Sequence, residues 1–211
     1  MAGKRAVLAA ALLLLASAGH AEEDAKFQGD EVRGKRIFGE VCAACHGEAG
    51  VSEISTIPNL AGQIPDYLAK QLLAFRHDEG QKPKRLNETM TPIAEQLNGD
   101  DIAGLALYLS ALPPAPGKAR DAEQVALGRK IYLTGNAEEG LPACVTCHRP
   151  SGSGIRPDFP RLAGQHPDYV EGQLTTWMAV RGKPGKLMSL IVPLMQPAEK
   201  RAVADYIATL R

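Results

Sequence analysis

All four cysteines of this 211-residue chain fall in two copies of one five-residue pattern. The copies are Cys42-Ala43-Ala44-Cys45-His46 and Cys144-Val145-Thr146-Cys147-His148. Two thiols at this spacing can each add across a vinyl group of haem, and the imidazole that follows then lies beneath the iron. The pattern therefore predicts two covalently bound haem c groups, one on Cys42, Cys45 and His46, the other on Cys144, Cys147 and His148. A redox dithiol would sit in a strand-helix-strand context, and neither copy is flanked by a convincing strand. Structural zinc favours four closely spaced ligands, whereas almost half the chain separates Cys45 from Cys144. Neither alternative explains a histidine after the second cysteine in both copies.

A haem iron with one histidine either takes a sixth ligand or keeps an open position. The chain supplies a test, because it repeats itself. Pro58-Asn59-Leu60-Ala61-Gly62-Gln63 lies over Pro160-Arg161-Leu162-Ala163-Gly164-Gln165 at the same offset, 102, that superposes the cysteines. Upstream, Gly34-Lys35-Arg36-Ile37-Phe38 matches Gly128-Arg129-Lys130-Ile131-Tyr132 at offset 94, so copy two has eight extra residues before its motif. Near the end of each copy, Ala106-Leu107-Tyr108-Leu109 matches Ala204-Asp205-Tyr206-Ile207 at offset 98, which also superposes Met90 on Met188. Methionine is a common core filler, but the matched positions select these two as metal ligands, each expected on a short extended stretch. Met195 and Met178 lack methionine partners and read as packing residues. His77 faces Ala179 in the alignment and His166 faces Ile64, which argues against a second histidine on either iron.

The elements that must position these residues are helical. In each copy a first segment, about 30–45 in copy one, runs into the cysteine motif. A second starts at Pro65 or Pro167, with proline at the entry, and continues through Leu68, Leu72 and Phe75. A third begins at Asn98, an N-cap followed by Asp100 and Asp101 in the positive first turn. There Ile102, Leu105, Leu109 and Leu112 form one apolar stripe; copy two repeats it with Val203, Ile207 and Leu210. Strand signals are nearly absent, so the expected fold class is all-α, with two tandem domains of a few helices each around a haem. The expected divisions are a cleaved signal peptide at 1–21, an N-terminal domain at 22–112, a proline-rich linker at 113–121 and a C-terminal domain at 122–211.

The signal peptide is read from Lys4 and Arg5 followed by the apolar run 6–18 and small residues. That run is shorter than the ~20 residues needed to span a bilayer, so no transmembrane segment is expected in the mature chain, and the expected location is the periplasm. Aromatic residues make up only 5% of the chain, thin for two cores, and two buried macrocycles would supply the missing apolar bulk. Net charge is zero overall. Yet 22–112 holds 15 acidic and 9 basic residues, net −6, and 113–211 holds 9 acidic and 13 basic, net +4. Such a dipolar molecule orients in a partner's field. The basic loops Lys82–Arg85 and Arg181–Lys186 read either as docking determinants or as ordinary solvated charge. Nothing here suggests nucleic acid.

With both motifs, the two Leu-Ala-Gly-Gln segments (Leu60–Gln63, Leu162–Gln165), Met90 with Met188, and the stretches Gly140–Cys144 and Phe159–Leu162, the chain closely resembles the dihaem cytochrome c4 family. The resemblance covers almost all of the mature sequence and implies two class I cytochrome c domains. It further implies that Pro58 and Pro160 offer carbonyls to the axial histidines, and that first and last helices cross near Gly34, Phe38 and Tyr108, or Gly128, Tyr132 and Tyr206. The expected function is outer-sphere transfer of single electrons between respiratory partners, a donor and a terminal oxidase, with no catalytic residues; peripheral association with the membrane stays open. Two alternatives remain: the cytochrome subunit of a dehydrogenase such as a sulfide-oxidising flavoprotein, and a haem enzyme with an open C-terminal iron.

Overall fold

The computed structural model describes residues 29–77, 81–181 and 186–211; the expected signal peptide, 1–21, and most of the loop Arg181–Lys186 lie outside the described residues. Among those described, helices dominate and no strand forms, leaving only the isolated bridges Asn136–Leu141 and Ile155–Phe159. The first half holds α1 (Glu31–Ile37), a π-helical turn (Phe38–Cys42), α2 (Ala43–His46), α3 (Pro65–Phe75), α4 (Met90–Glu95) and α5 (Gly99–Ala111). The second holds α6 (Ala122–Thr134), α7 (Val145–His148), α8 (Pro167–Val180), α9 (Leu187–Ile191) with a 3-10 turn (Val192–Leu194), and α10 (Pro197–Thr209).

Helix starts follow local chemistry. Asn98 accepts from the Asp101 N–H at 2.9 Å while Asp101 accepts from the Asn98 N–H at 2.9 Å, a reciprocal box that opens α5. Gln196 and Glu199 repeat this box at α10. Proline occupies the first turn of α3, α8 and α10, where its missing N–H costs no hydrogen bond.

In each half the first and last helices cross in close contact. A Cβ on Gly34 would lie 2.1 Å from the Gly104 carbonyl oxygen, and one on Gly128 would lie 1.9 Å from that of Ala202. No other residue fits either crossing. Beside these points the rings of Phe38 and Tyr108 sit 5.6 Å apart and those of Tyr132 and Tyr206 sit 5.3 Å apart, both tilted. Each crossing heads its own core. One is built on Ile37, Phe38, Leu68, Ile102, Leu105 and Leu109, the other on Ile131, Tyr132, Val170, Leu174, Val203 and Ile207.

The halves differ where the repeat slips. In the first, α1 passes without a break through the π turn into α2. In the second, α6 ends at Gly135, whose φ of 70° and closeness to the Leu141 carbonyl suit only glycine. The eight extra residues form the loop that returns the chain to Cys144.

A pseudo-twofold clasp joins the halves. The Gln63 side chain donates to the Arg161 carbonyl at 2.8 Å and accepts from the Arg161 N–H at 2.8 Å. Gln165 does the same to Asn59, at 3.0 and 2.9 Å. Both glutamines are buried. The Leu-Ala-Gly-Gln repeat thus serves as the interface, each copy gripping the segment before the other's glutamine. His166 adds a contact between its Nε2 and the Ser52 carbonyl at 2.9 Å, and Arg156 pairs with Asp66 at 2.7 Å.

Candidate functional site

Cys45 and His46 lie in α2, with Cys42 just before it; Cys147 and His148 lie in α7, with Cys144 at its start. Helical geometry places the two thiols of each motif about a turn apart with the histidine on a neighbouring face. No disulfide joins any of the four cysteines. Burial pushes Cys42 and Cys144 each up to about 11, so both stay protonated in apolar surroundings.

The imidazoles are buried and held alike. His46 Nδ1 lies 2.9 Å from the Pro58 carbonyl oxygen, and His148 Nδ1 lies 3.1 Å from that of Pro160. Since a carbonyl only accepts, Nδ1 carries the proton and Nε2 presents its lone pair. Burial lowers the proton affinity of both rings; for His46 the Pro58 carbonyl opposes that effect and the nearby Arg85 charge adds to it. Both are therefore neutral at pH 7, the form that binds a metal. No hydrogen bond engages either Nε2 among the described residues.

The residue after each histidine turns sharply. Gly47 has φ 76° and Arg149 has φ 64°, with ψ near 150–160°. For arginine this is a strained conformation. The Tyr132 hydroxyl donates to the Arg149 carbonyl at 2.7 Å, a support that Phe38, its counterpart, has no hydroxyl to give.

The expected extended setting of the two methionines needs correction. Met90 is the first residue of α4 and Met188 lies within α9, both half-buried. Asn87 creates the first turn: its side chain accepts from the N–H groups of Thr89 at 3.1 Å and Met90 at 2.7 Å. A His77–Glu95 pair ties α4 to the end of α3. The Trp177 Nε1–H donates to the Ser189 hydroxyl at 3.2 Å, tying α9 to α8. Met188 packs against the second core. Met195 is a core residue as expected, whereas Met178 is 52% exposed and packs no core; its place late on α8 faces outward.

These residues fit the group the motifs imply. Each half offers two uncommitted thiols and one neutral imidazole oriented from behind. Among the described residues no three of His, Cys, Asp or Glu gather as a protein-only metal site. A first helix that leads to Cys-x-x-Cys-His, directly in the first half and through a loop in the second, a last helix crossing it at a glycine, and a histidine held by a proline carbonyl define a c-type cytochrome domain, here present twice. The cytochrome c family model matches residues 31–113.

The chain is 38% identical over 186 residues to cytochrome c4 of Thiocapsa roseopersicina, covering 86% of this chain and 93% of that one. It is 35% identical to a thiosulfate dehydrogenase electron acceptor of Thiomonas intermedia (strain K12), covering 79% and 77%. Its fold matches reduced recombinant cytochrome c4 from Pseudomonas stutzeri with a TM-score of 0.77 and 32% identity, over 87% of this chain and all of the other. The chain belongs to the cytochrome c4 family. It is a dihaem c-type electron carrier with two covalently bound haem c groups.

Two features escaped the sequence reading. The glutamine clasp was visible only as a repeat without a role. The basic loops were weighed as docking sites or solvated charge, yet Arg181 is only 6% exposed and Arg85 is half-buried against the other half.

Proposed function

We propose that the mature chain, cut after residue 21, works in the periplasm as a carrier that takes one electron from a donor and delivers it towards a terminal oxidase. Cys42 and Cys45 would hold one haem and Cys144 and Cys147 the other, and His46 with Met90, and His148 with Met188, would be the ligands to their irons. Each haem supplies a site that accepts and releases a single electron. The chain does the rest. The Pro58 and Pro160 carbonyls hold the imidazole Nδ1–H, which fixes ring orientation and raises ligand basicity. Methionine together with histidine as iron ligands would raise the reduction potential. With His46, Met90, His148 and Met188 as ligands, no open position would remain on either iron for a substrate, which would suit electron transfer rather than catalysis.

The observation that carries this reading is the duplicated histidine–proline contact, at 2.9 and 3.1 Å, set in two halves locked by the glutamine clasp. A rigid junction keeps the distance between redox centres constant, so an electron entering one half can leave from the other. The halves divide at 113–121, and their opposite net charges orient the molecule towards its partners. The N-terminal Lys-Arg and apolar run support export, and no described helix is long and apolar enough to cross a membrane.

A second reading makes the chain the acceptor for a sulfur-compound dehydrogenase, favoured by the relative named as a thiosulfate dehydrogenase electron acceptor. An optical redox titration of protein matured with haem-attachment machinery tests the carrier. Two one-electron steps with methionine-ligated ferric spectra support it; a high-spin, ligand-binding iron in either half contradicts it. Rapid reduction by a thiosulfate dehydrogenase would favour the second reading.

A further inference from the structure

In each half the glutamine clasp and the buried histidine meet at one peptide group. The carbonyl facing His46 Nδ1, at 2.9 Å, is that of Pro58, and the N–H of the same peptide belongs to Asn59. That N–H donates to Gln165 Oε1 of the other half at 2.9 Å. The second half mirrors the first. The Pro160 carbonyl lies 3.1 Å from His148 Nδ1, and the N–H of its peptide, on Arg161, donates to Gln63 Oε1 at 2.8 Å. Two hydrogen bonds and one peptide group therefore link each histidine to a side chain of the opposite half.

Both glutamines are held in place from several sides. Gln63 Oε1 also accepts from the Ile64 N–H, and Gln165 Oε1 from the His166 N–H, each at 3.0 Å. Their side-chain nitrogens donate to the Arg161 and Asn59 carbonyls at 2.8 and 3.0 Å. Oxygen thus faces donors and nitrogen faces an acceptor, which fixes the amide orientation. Asn59, both glutamines and both histidines are buried. In such low-dielectric surroundings the hydrogen bonds of a chain polarise one another. A peptide whose N–H is engaged carries more negative charge on its carbonyl oxygen, and that oxygen holds an imidazole N–H more firmly. The imidazole becomes a more basic ligand, and a more basic ligand favours ferric over ferrous iron.

We infer that Gln165 and Gln63 are positioning residues that tune the two redox centres crosswise. Gln165 raises the basicity of His46 through the Pro58–Asn59 peptide, and Gln63 raises that of His148 through the Pro160–Arg161 peptide. The inference rests on His46 and His148 being the iron ligands. Each half thereby sets part of the other's midpoint potential, and the junction that joins the halves is also the element that adjusts them.

The test uses holoprotein carrying Gln165→Leu or Gln63→Leu. The readouts are the histidine Nδ1–H proton resonances of the ferrous protein and the midpoint of each haem, followed through its own methyl signals in an NMR redox titration. Gln165→Leu is expected to move the His46 Nδ1–H upfield and to raise the N-terminal midpoint, while the C-terminal midpoint holds. The rise should be about a threefold change in the ferric-to-ferrous ratio, or about 28 mV at ~59 mV per tenfold for one electron. Gln63→Leu should do the converse, moving the His148 resonance and the C-terminal midpoint alone. Gln165→Met and Gln63→Met keep the side-chain length, serve if the leucine variants fail to fold, and should show the same crossed pattern more weakly, because a thioether is a weak acceptor. A loosened junction admits water to both haems, so midpoints that move together in each variant would reduce the glutamines to interface packing and overturn the proposal. So would Nδ1–H resonances that stay at wild-type positions. Wild-type ferrous protein whose histidine ring protons lack the upfield displacement of a porphyrin ring current would overturn the ligand assignment, and the proposal with it.

Discussion

Gln165→Leu isolates the clasp between the halves. Leucine nearly matches glutamine in volume, so the change removes polar atoms and leaves little cavity. Gln165 satisfies both the N–H and the carbonyl of Asn59, at 2.9 and 3.0 Å, and also accepts from the His166 N–H at 3.0 Å. Asn59 is 8% exposed, so its two backbone groups lose their partners without gaining water. An orphaned buried polar group costs about 1–3 kcal/mol. Two of them set the loss at about 3 kcal/mol, more than a hundredfold in the docking equilibrium. Guanidinium denaturation of the holoprotein, followed by haem absorbance, reads it. Wild type should unfold with the halves coupled; the variant should show two separated transitions, and flash-initiated electron transfer between haems should slow. Gln63→Leu, its pseudo-twofold mate, should give a similar loss. One coupled transition within 0.5 kcal/mol of wild type would refute the clasp as the element that joins the halves.

Met188→Ala should lower the C-terminal potential and open that iron to an added ligand such as cyanide or imidazole; an unchanged titration would move the ligand role elsewhere. Arg149→Gly should stabilise the C-terminal half by about 1 kcal/mol, since the strain at φ 64° costs of order 1–3 kcal/mol and glycine's greater unfolded freedom offsets part of the gain. Thermal melts would check this, and a loss of stability would contradict it. The Asp101 carboxyl is held below its usual range by the Asn98 N–H, against burial and with help from Arg33. Its stabilisation is therefore complete above the unfolded value near 3.9 and fades as pH falls through the lower folded value. Asp101→Asn should be weaker than wild type at pH 7 by about 1 kcal/mol, as expected for a lost cap contact, and should lose less on acidification from pH 5 to 3. Parallel pH curves for the two proteins would contradict that origin.

What the sequence made legible was local or repeated. Cys-x-x-Cys-His is read within five residues, and Gly34 with Gly128 stands out because the repeat pairs them next to Phe38 and Tyr132. The clasp was harder. Gln63 and Gln165 each bond to a segment 98–106 residues away, and a repeat reveals that two segments are alike without revealing that they face one another. Arg85 and Arg181 misled for a related reason. Arginine beside proline and lysine in a loop reads as solvated, but here the other half of the molecule takes the place of solvent. The short helices at Met90 and Met188 escaped because they are single turns held by Asn87, Trp177 and Ser189 rather than by any apolar period.

The most direct test of the account is the pigment count on the exported protein. Acidified acetone should leave the colour on the polypeptide, and intact mass should equal the processed chain plus two haem groups. Colour that extracts into solvent, or a mass carrying one haem or none, would contradict it.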